Sequence, residues 1–101
     1  MPHEYPDLQA DEQQLTGHWK DGKAGAAADD VDERILWLVT KRLLPKGLTA
    51  DGWDSLFLDP RDSRFWELTF PQSSLFGGGP RQLSVLSPEA AAEKYGMSAI
   101  D

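Results

Sequence analysis

Apolar positions recur at helical spacing in one stretch and at strand spacing in several others. After Asp29-Asp30, residues Val31, Ile35, Leu38, Val39 and Leu43 fall on one arc, with Leu36 at its edge. Asp30 suits the N-cap, and Glu33 completes a capping-box pattern. Arg42 lies within the arc and has to snorkel or pair. Trp37 and Leu44 point to the opposite side, so this helix is apolar on more than one side. Pro45 and Gly47 predict its end.

Three strands are predicted downstream. The first is Trp53-Asp54-Ser55-Leu56-Phe57-Leu58, and Asp59-Pro60-Arg61-Asp62-Ser63-Arg64 carries turn chemistry after it. The second, Phe65 to Phe70, alternates: Trp66, Leu68 and Phe70 face one side, and Phe65, Glu67 and Thr69 the other. Pro71 ends it, and residues 72–80 read as a loop. The third is Gln82 to Leu86. Ser87-Pro88-Glu89 then starts a short helix, with Ser at N-cap and Pro at N1, that runs to Tyr95 and closes at Gly96. Upstream, Leu15 to Lys20 is a weak strand and Asp21-Gly22 a hairpin turn. The Ala/Gly-rich stretch 23–28 is a poor strand.

The expected architecture is α+β: an antiparallel sheet of three to four strands packed against one long helix, with a short C-terminal helix. Residues 1–14 are expected to be a flexible acidic segment, 15–96 a single domain, and 97–101 a frayed end. Trp53 and Trp66 are expected in the core, with Trp19 a candidate for the same role. Trp37 is either covered by the N-terminal segment or C-terminal helix, or stands exposed as a binding anchor.

Charge changes this picture. The chain has 101 residues, 17 acids and 10 bases, for a net charge of −7. Residues 1–33 hold nine acids (Glu4, Asp7, Asp11, Glu12, Asp21, Asp29, Asp30, Asp32, Glu33) against Lys20 and Lys23, a balance of −7. The remainder is neutral. This distribution argues against direct nucleic-acid binding and suits either solubility or a basic protein partner. No apolar run is long enough to span a membrane, and no signal-peptide pattern opens the chain. With no cysteines, disulfides and thiolate chemistry are excluded, and a cytoplasmic setting is expected. Small size and negative charge favour a monomer when free.

Catalytic chemistry is sparse. His3 and His18 show no metal-ligand spacing, and the Asp29–Glu33 acids already serve a helix start, so no metal or cofactor is expected. No nucleophile elbow is present. Gly77-Gly78-Gly79-Pro80-Arg81 could present N–H groups to an anion, but the lysine and helix of a phosphate loop are missing. Glu67 is a lone strand carboxylate, which a small enzyme could use and a solvated surface equally well explains.

The order of motifs goes further. Gly52-Trp53-Asp54-Ser55-Leu56-Phe57-Leu58-Asp59-Pro60, Arg64-Phe65-Trp66-Glu67-Leu68-Thr69-Phe70-Pro71-Gln72-Ser73, Gly77-Gly78-Gly79-Pro80, Leu86-Ser87-Pro88-Glu89 and Lys94-Tyr95-Gly96 form a series. It resembles the immunity protein twenty-seven family of bacterial polymorphic toxin systems. Leu15 to Trp19 and Asp32-Glu33-Arg34-Ile35 resemble it too. Phe70 stands where that family has tyrosine, and Ser74-Leu75-Phe76 replaces a more polar loop. The resemblance implies a non-enzymatic protein that binds and neutralises a cognate toxin domain, with Trp53, Asp59, Pro60, Trp66, Glu67, Pro71, Gly77, Gly78, Gly79 and Pro80 as motif residues. The expected toxin contacts are Asp29, Asp30, Asp32 and Glu33, with Trp37 as anchor and Glu67, Gln72 and Ser73 as alternatives. A non-inhibitory adaptor is the competing reading.

Overall fold

The computed structural model describes residues 5–18, 30–71 and 80–100. In chain order the elements are β1 (Gln14–Thr16), α1 (Asp30–Trp37) continued by a π-helical turn (Leu38–Arg42), β2 (Leu44–Leu48), β3 (Ser55–Asp59), β4 (Arg64–Thr69), β5 (Gln82–Leu86), α2 (Pro88–Tyr95) and a 3-10 turn (Met97–Ile100). The strands form one antiparallel sheet in the order β1-β5-β4-β3-β2. The class is α+β as expected, but the sheet has five strands, one more than the largest number expected.

The fifth strand comes from the end of the expected long helix. Thr40 Oγ1 donates to the Leu36 carbonyl at 2.7 Å, engaging an acceptor of the helical ladder. The ladder then widens, and Leu43 N donates to Leu38 O at 2.9 Å, an i to i−5 bond. Leu43 is extended (φ −101°, ψ 153°), and Pro45 disfavours helix at Leu44. The chain therefore enters β2 directly. Pro45 and Gly47 do not merely stop a helix: they lie in an edge strand, where proline is tolerated, with a register shift between them.

Both faces of the sheet are covered, whereas one packed helix was expected on one face. On the first face Ile35 and Leu38 from the α1 layer join Leu15, Phe57, Trp66, Leu68 and Leu83. On the second, Ala91 and Ala99 pack with Leu56 and Phe65. This explains β4, whose four central residues are all buried although they alternate in direction. Small side chains let α2 approach closely. At Gly47 a Cβ would lie 3.2 Å from Tyr95 Cδ1, so glycine keeps the room that the ring needs. The α2 start follows the sequence reading: Ser87 Oγ accepts from Ala90 N at 3.1 Å, and Pro88 opens the helix.

Described residues of both terminal segments pack against the body. Leu8 is 3% exposed and belongs to the first core. Met97–Ile100 forms a 3-10 turn that buries Ala99. Trp66 is fully buried as expected, with the Arg64 guanidinium 4.9 Å from its ring centroid. Trp53 is not a core residue: it is 42% exposed. Trp19 lies outside the described residues.

Candidate protein-binding surface

Three polar clusters organise the surface. The first holds residues 6–12 against the body through four arginines from α1, the π turn, the β3–β4 turn and β4. Arg34 donates to the Pro6 and Asp7 carbonyls at 2.9 and 3.0 Å and to both oxygens of Glu12 at 2.8 Å. Arg42 grips the Asp7 carboxylate in a fork, at 2.6 and 2.8 Å. Arg61 reaches Leu8 O at 3.3 Å. Arg64 donates to Glu12 O and Gln9 O at 2.7 and 3.0 Å. The bond from Arg42 holds the Asp7 carboxyl below its ordinary range, and Arg34 does the same for Glu12. Two of the three acids in this segment, Asp7 and Glu12, are thus paired internally.

The second cluster joins α1 to the entry of β5. Asp32 is 4% exposed, and its two oxygens accept from Arg81 N and Arg81 Nη1, each at 2.6 Å. Gly17 fits beside it: a Cβ there would lie 2.9 Å from Asp32 Cβ. Asp32 is therefore a buried internal tie to Arg81. Its partner, Arg81, was too distant in sequence to be foreseen.

The third cluster latches α2 to the sheet. Glu67 is 8% exposed, and its Oε2 accepts from Tyr95 Oη at 2.8 Å and meets Lys94 Nζ at 2.5 Å. Lys94 also bridges to Asp54 at 2.9 Å. Hydrogen bonds donated to the Asp54 and Glu67 carboxylates raise the Lys94 pKa, and burial with the Glu67 bond raises that of Tyr95. Glu67 is thus a buried carboxylate held by Tyr95 and Lys94. The Lys94-Tyr95 motif was the signal that could have pointed to this latch.

The remaining sites divide as follows. Asp30 and Glu33 are exposed on α1, and Glu33 accepts from Tyr5 Oη at 2.8 Å. Trp37 is half-buried, tilted against Tyr5 at 6.1 Å with Arg42 5.6 Å from its ring centroid. Asp59 is buried and caps its own turn by accepting from Arg61 N at 2.9 Å; Pro60 and Pro71 are exposed, and Pro80 is buried. Asp29, Gln72, Ser73, Gly77, Gly78 and Gly79 lie outside the described residues.

A groove of about 320 Å³ runs between the β4–β5 ends and the start of α2, lined by Arg64, Phe65, Val85, Leu86 and Pro88 among others. Its one charged residue, Arg64, already serves Gln9, Glu12 and Asp62. Among the described residues no three acids or histidines gather as a metal site, and no helix is long and apolar enough to cross a membrane.

A family model described as immunity protein 27 matches residues 21–87. The chain belongs to the immunity protein 27 family. The match spans α1 and strands β2 to β5, so it takes in Asp32 with Arg81, Glu67 and the β2–β3 hairpin, while Tyr95 lies beyond it. Family membership implies a cognate toxin as partner. No curated protein and no solved structure matches the chain.

Proposed function

We propose that this chain is a non-enzymatic immunity protein that binds a basic toxin domain and neutralises it by covering the toxin's active site. Family membership carries the reading, and the placement of charge supports it. A nuclease is the toxin class that fits best, because an enzyme that holds phosphates presents positive charge that an acidic surface complements. Asp30 and Glu33, exposed on α1, are the acids assigned to steering, with the neighbouring Asp29. Steering raises the association rate, and buried apolar contacts set the dissociation rate. The protein acts in the cytoplasm as a monomer and contacts no nucleic acid itself.

The test is calorimetric titration of the toxin C-terminal domain encoded beside this gene, at two salt concentrations. Nanomolar binding that weakens with salt and abolishes toxin activity is the expected result. Absence of binding at micromolar concentration, or tight binding that leaves activity intact, overturns the reading. Asp30→Lys with Glu33→Lys should slow association and flatten its salt dependence.

A further inference from the structure

We infer that the tip of the β2–β3 hairpin, with Trp53 as its anchor, inserts into an apolar socket rimmed by basic residues on the toxin domain. This inference rests on the immunity reading above and identifies a surface for it.

Trp53 is the exposed tryptophan among those described. Trp66 is sealed in the core, and Trp37 is covered by Tyr5 and Arg42. Covering the exposed part of so large an apolar side chain would favour binding, and tryptophan is the side chain that most often anchors an interface. Leu48, at the strand end leading into the same turn, is 63% exposed.

The turn is fixed before any partner arrives. Asp51 Oδ1 accepts from Thr49 Oγ1 at 2.6 Å and from Trp53 N at 3.0 Å. Thr49 N donates to Asp54 O at 2.9 Å, and Gly52 supplies the positive φ of +79° that the turn needs. The Trp53 ring leans edge-on against Phe70, with centroids 5.7 Å apart. Lys94 holds Asp54 from the far side. An anchor held in this way loses little freedom on binding, which favours affinity.

Charge selects the occupant. Asp51 is exposed two residues from the indole, and the whole chain carries −7. A basic rim around an apolar socket matches both features. Strand addition to β2 is the competing mode on this hairpin. Pro45, Lys46 and the register shift blunt that edge, so side chains and not backbone carry recognition.

The experiment compares wild type, Trp53→Ala, Trp37→Ala and Asp51→Asn against the toxin C-terminal domain encoded beside the gene. Asp51→Asn keeps an oxygen acceptor and removes only charge. Trp53→Ala is expected to weaken Kd by about 30-fold or more and Asp51→Asn by about 3-fold, with Trp37→Ala near wild type. Acrylamide quenching gives a reading independent of the alanine variant's folding: complex formation should protect a quenchable component present in wild type and missing in Trp53→Phe. Wild-type binding with undiminished Trp53→Ala affinity, or with that component still quenchable, overturns the anchor and leaves the immunity reading standing. Failure of wild type itself to bind overturns both.

Discussion

Asp32 holds Arg81 twice, once at the backbone nitrogen and once at the guanidinium, both at 2.6 Å. The pair fixes the first turn of α1 to the residue that precedes β5. Removing either partner leaves a poorly solvated charge. Asp32→Ala is expected to destabilise by about 2–3 kcal/mol, since Asp32 is buried and Arg81 partly exposed. Arg81→Ala should cost a similar amount through the stranded carboxylate, and the double variant less than the sum of the two. Urea unfolding of the three variants measures the coupling. Gly17→Ala should fall in the same class, because its methyl would press on Asp32.

Leu8 is a single apolar residue among polar neighbours, yet it closes the first core. Leu8→Ala is expected to cost about 2–3 kcal/mol, as for other buried leucines. A surface-tail residue would cost almost nothing. Thermal denaturation decides between the two.

The fold was legible where local chemistry decides it. Alternation in β4, the Asp59-Pro60 turn and the Ser87-Pro88 helix start are all set by neighbouring residues. The roles of Leu8, Asp32 and Glu67 were not legible, because their partners lie far away in sequence: Arg81 is 49 residues from Asp32, and Tyr95 is 28 from Glu67. An acidic run looks like a solvated surface until a distant arginine enters it. The β2 strand was hidden for another reason. Proline and glycine after a helical pattern signal a stop and equally permit an edge strand, and the Thr40 side chain that widens the helix leaves no mark on periodicity. A strand tryptophan is usually buried, so the pattern alone points Trp53 to the core, whereas the local turn leaves this one 42% exposed.

Acid should release the N-terminal segment. Asp7 and Glu12 have folded pKa values below their ordinary 3.8 and 4.5, so the folded state binds fewer protons than the unfolded state. Their contribution is present above the unfolded values and is lost as pH falls through the folded ones. Urea midpoints should therefore drop from about pH 5 downward. The Asp7→Asn, Glu12→Gln double variant should be less stable at neutral pH and less sensitive to acid.

Alkali should loosen α2. Lys94 and Tyr95 both have raised folded pKa values, so the stability they contribute is complete below the ordinary 10.5 and 10.0 and falls as pH rises through the folded values. Tyr95→Phe should cost about 1 kcal/mol, and Lys94→Ala somewhat more, because Glu67 then keeps one donor fewer in a buried site. Unfolding midpoints should be flat up to about pH 10 and fall above it, and both variants should reduce that fall.

The strand order carries a consequence for synthesis. β1 pairs with β5, and Thr16 meets Gln82 across 66 residues. Leu8 and Leu15 enter a core that also needs Leu83, and α1 is tied to Arg81. A ribosome-bound chain therefore holds its first strand without a partner until the fifth has emerged. The β2–β3 and β3–β4 hairpins can pair earlier, whereas β1 joins the sheet only in a late step, at the entropic cost of a long loop. A chain that ends before β5 therefore leaves Leu8 and Leu15 without the strand that completes their core.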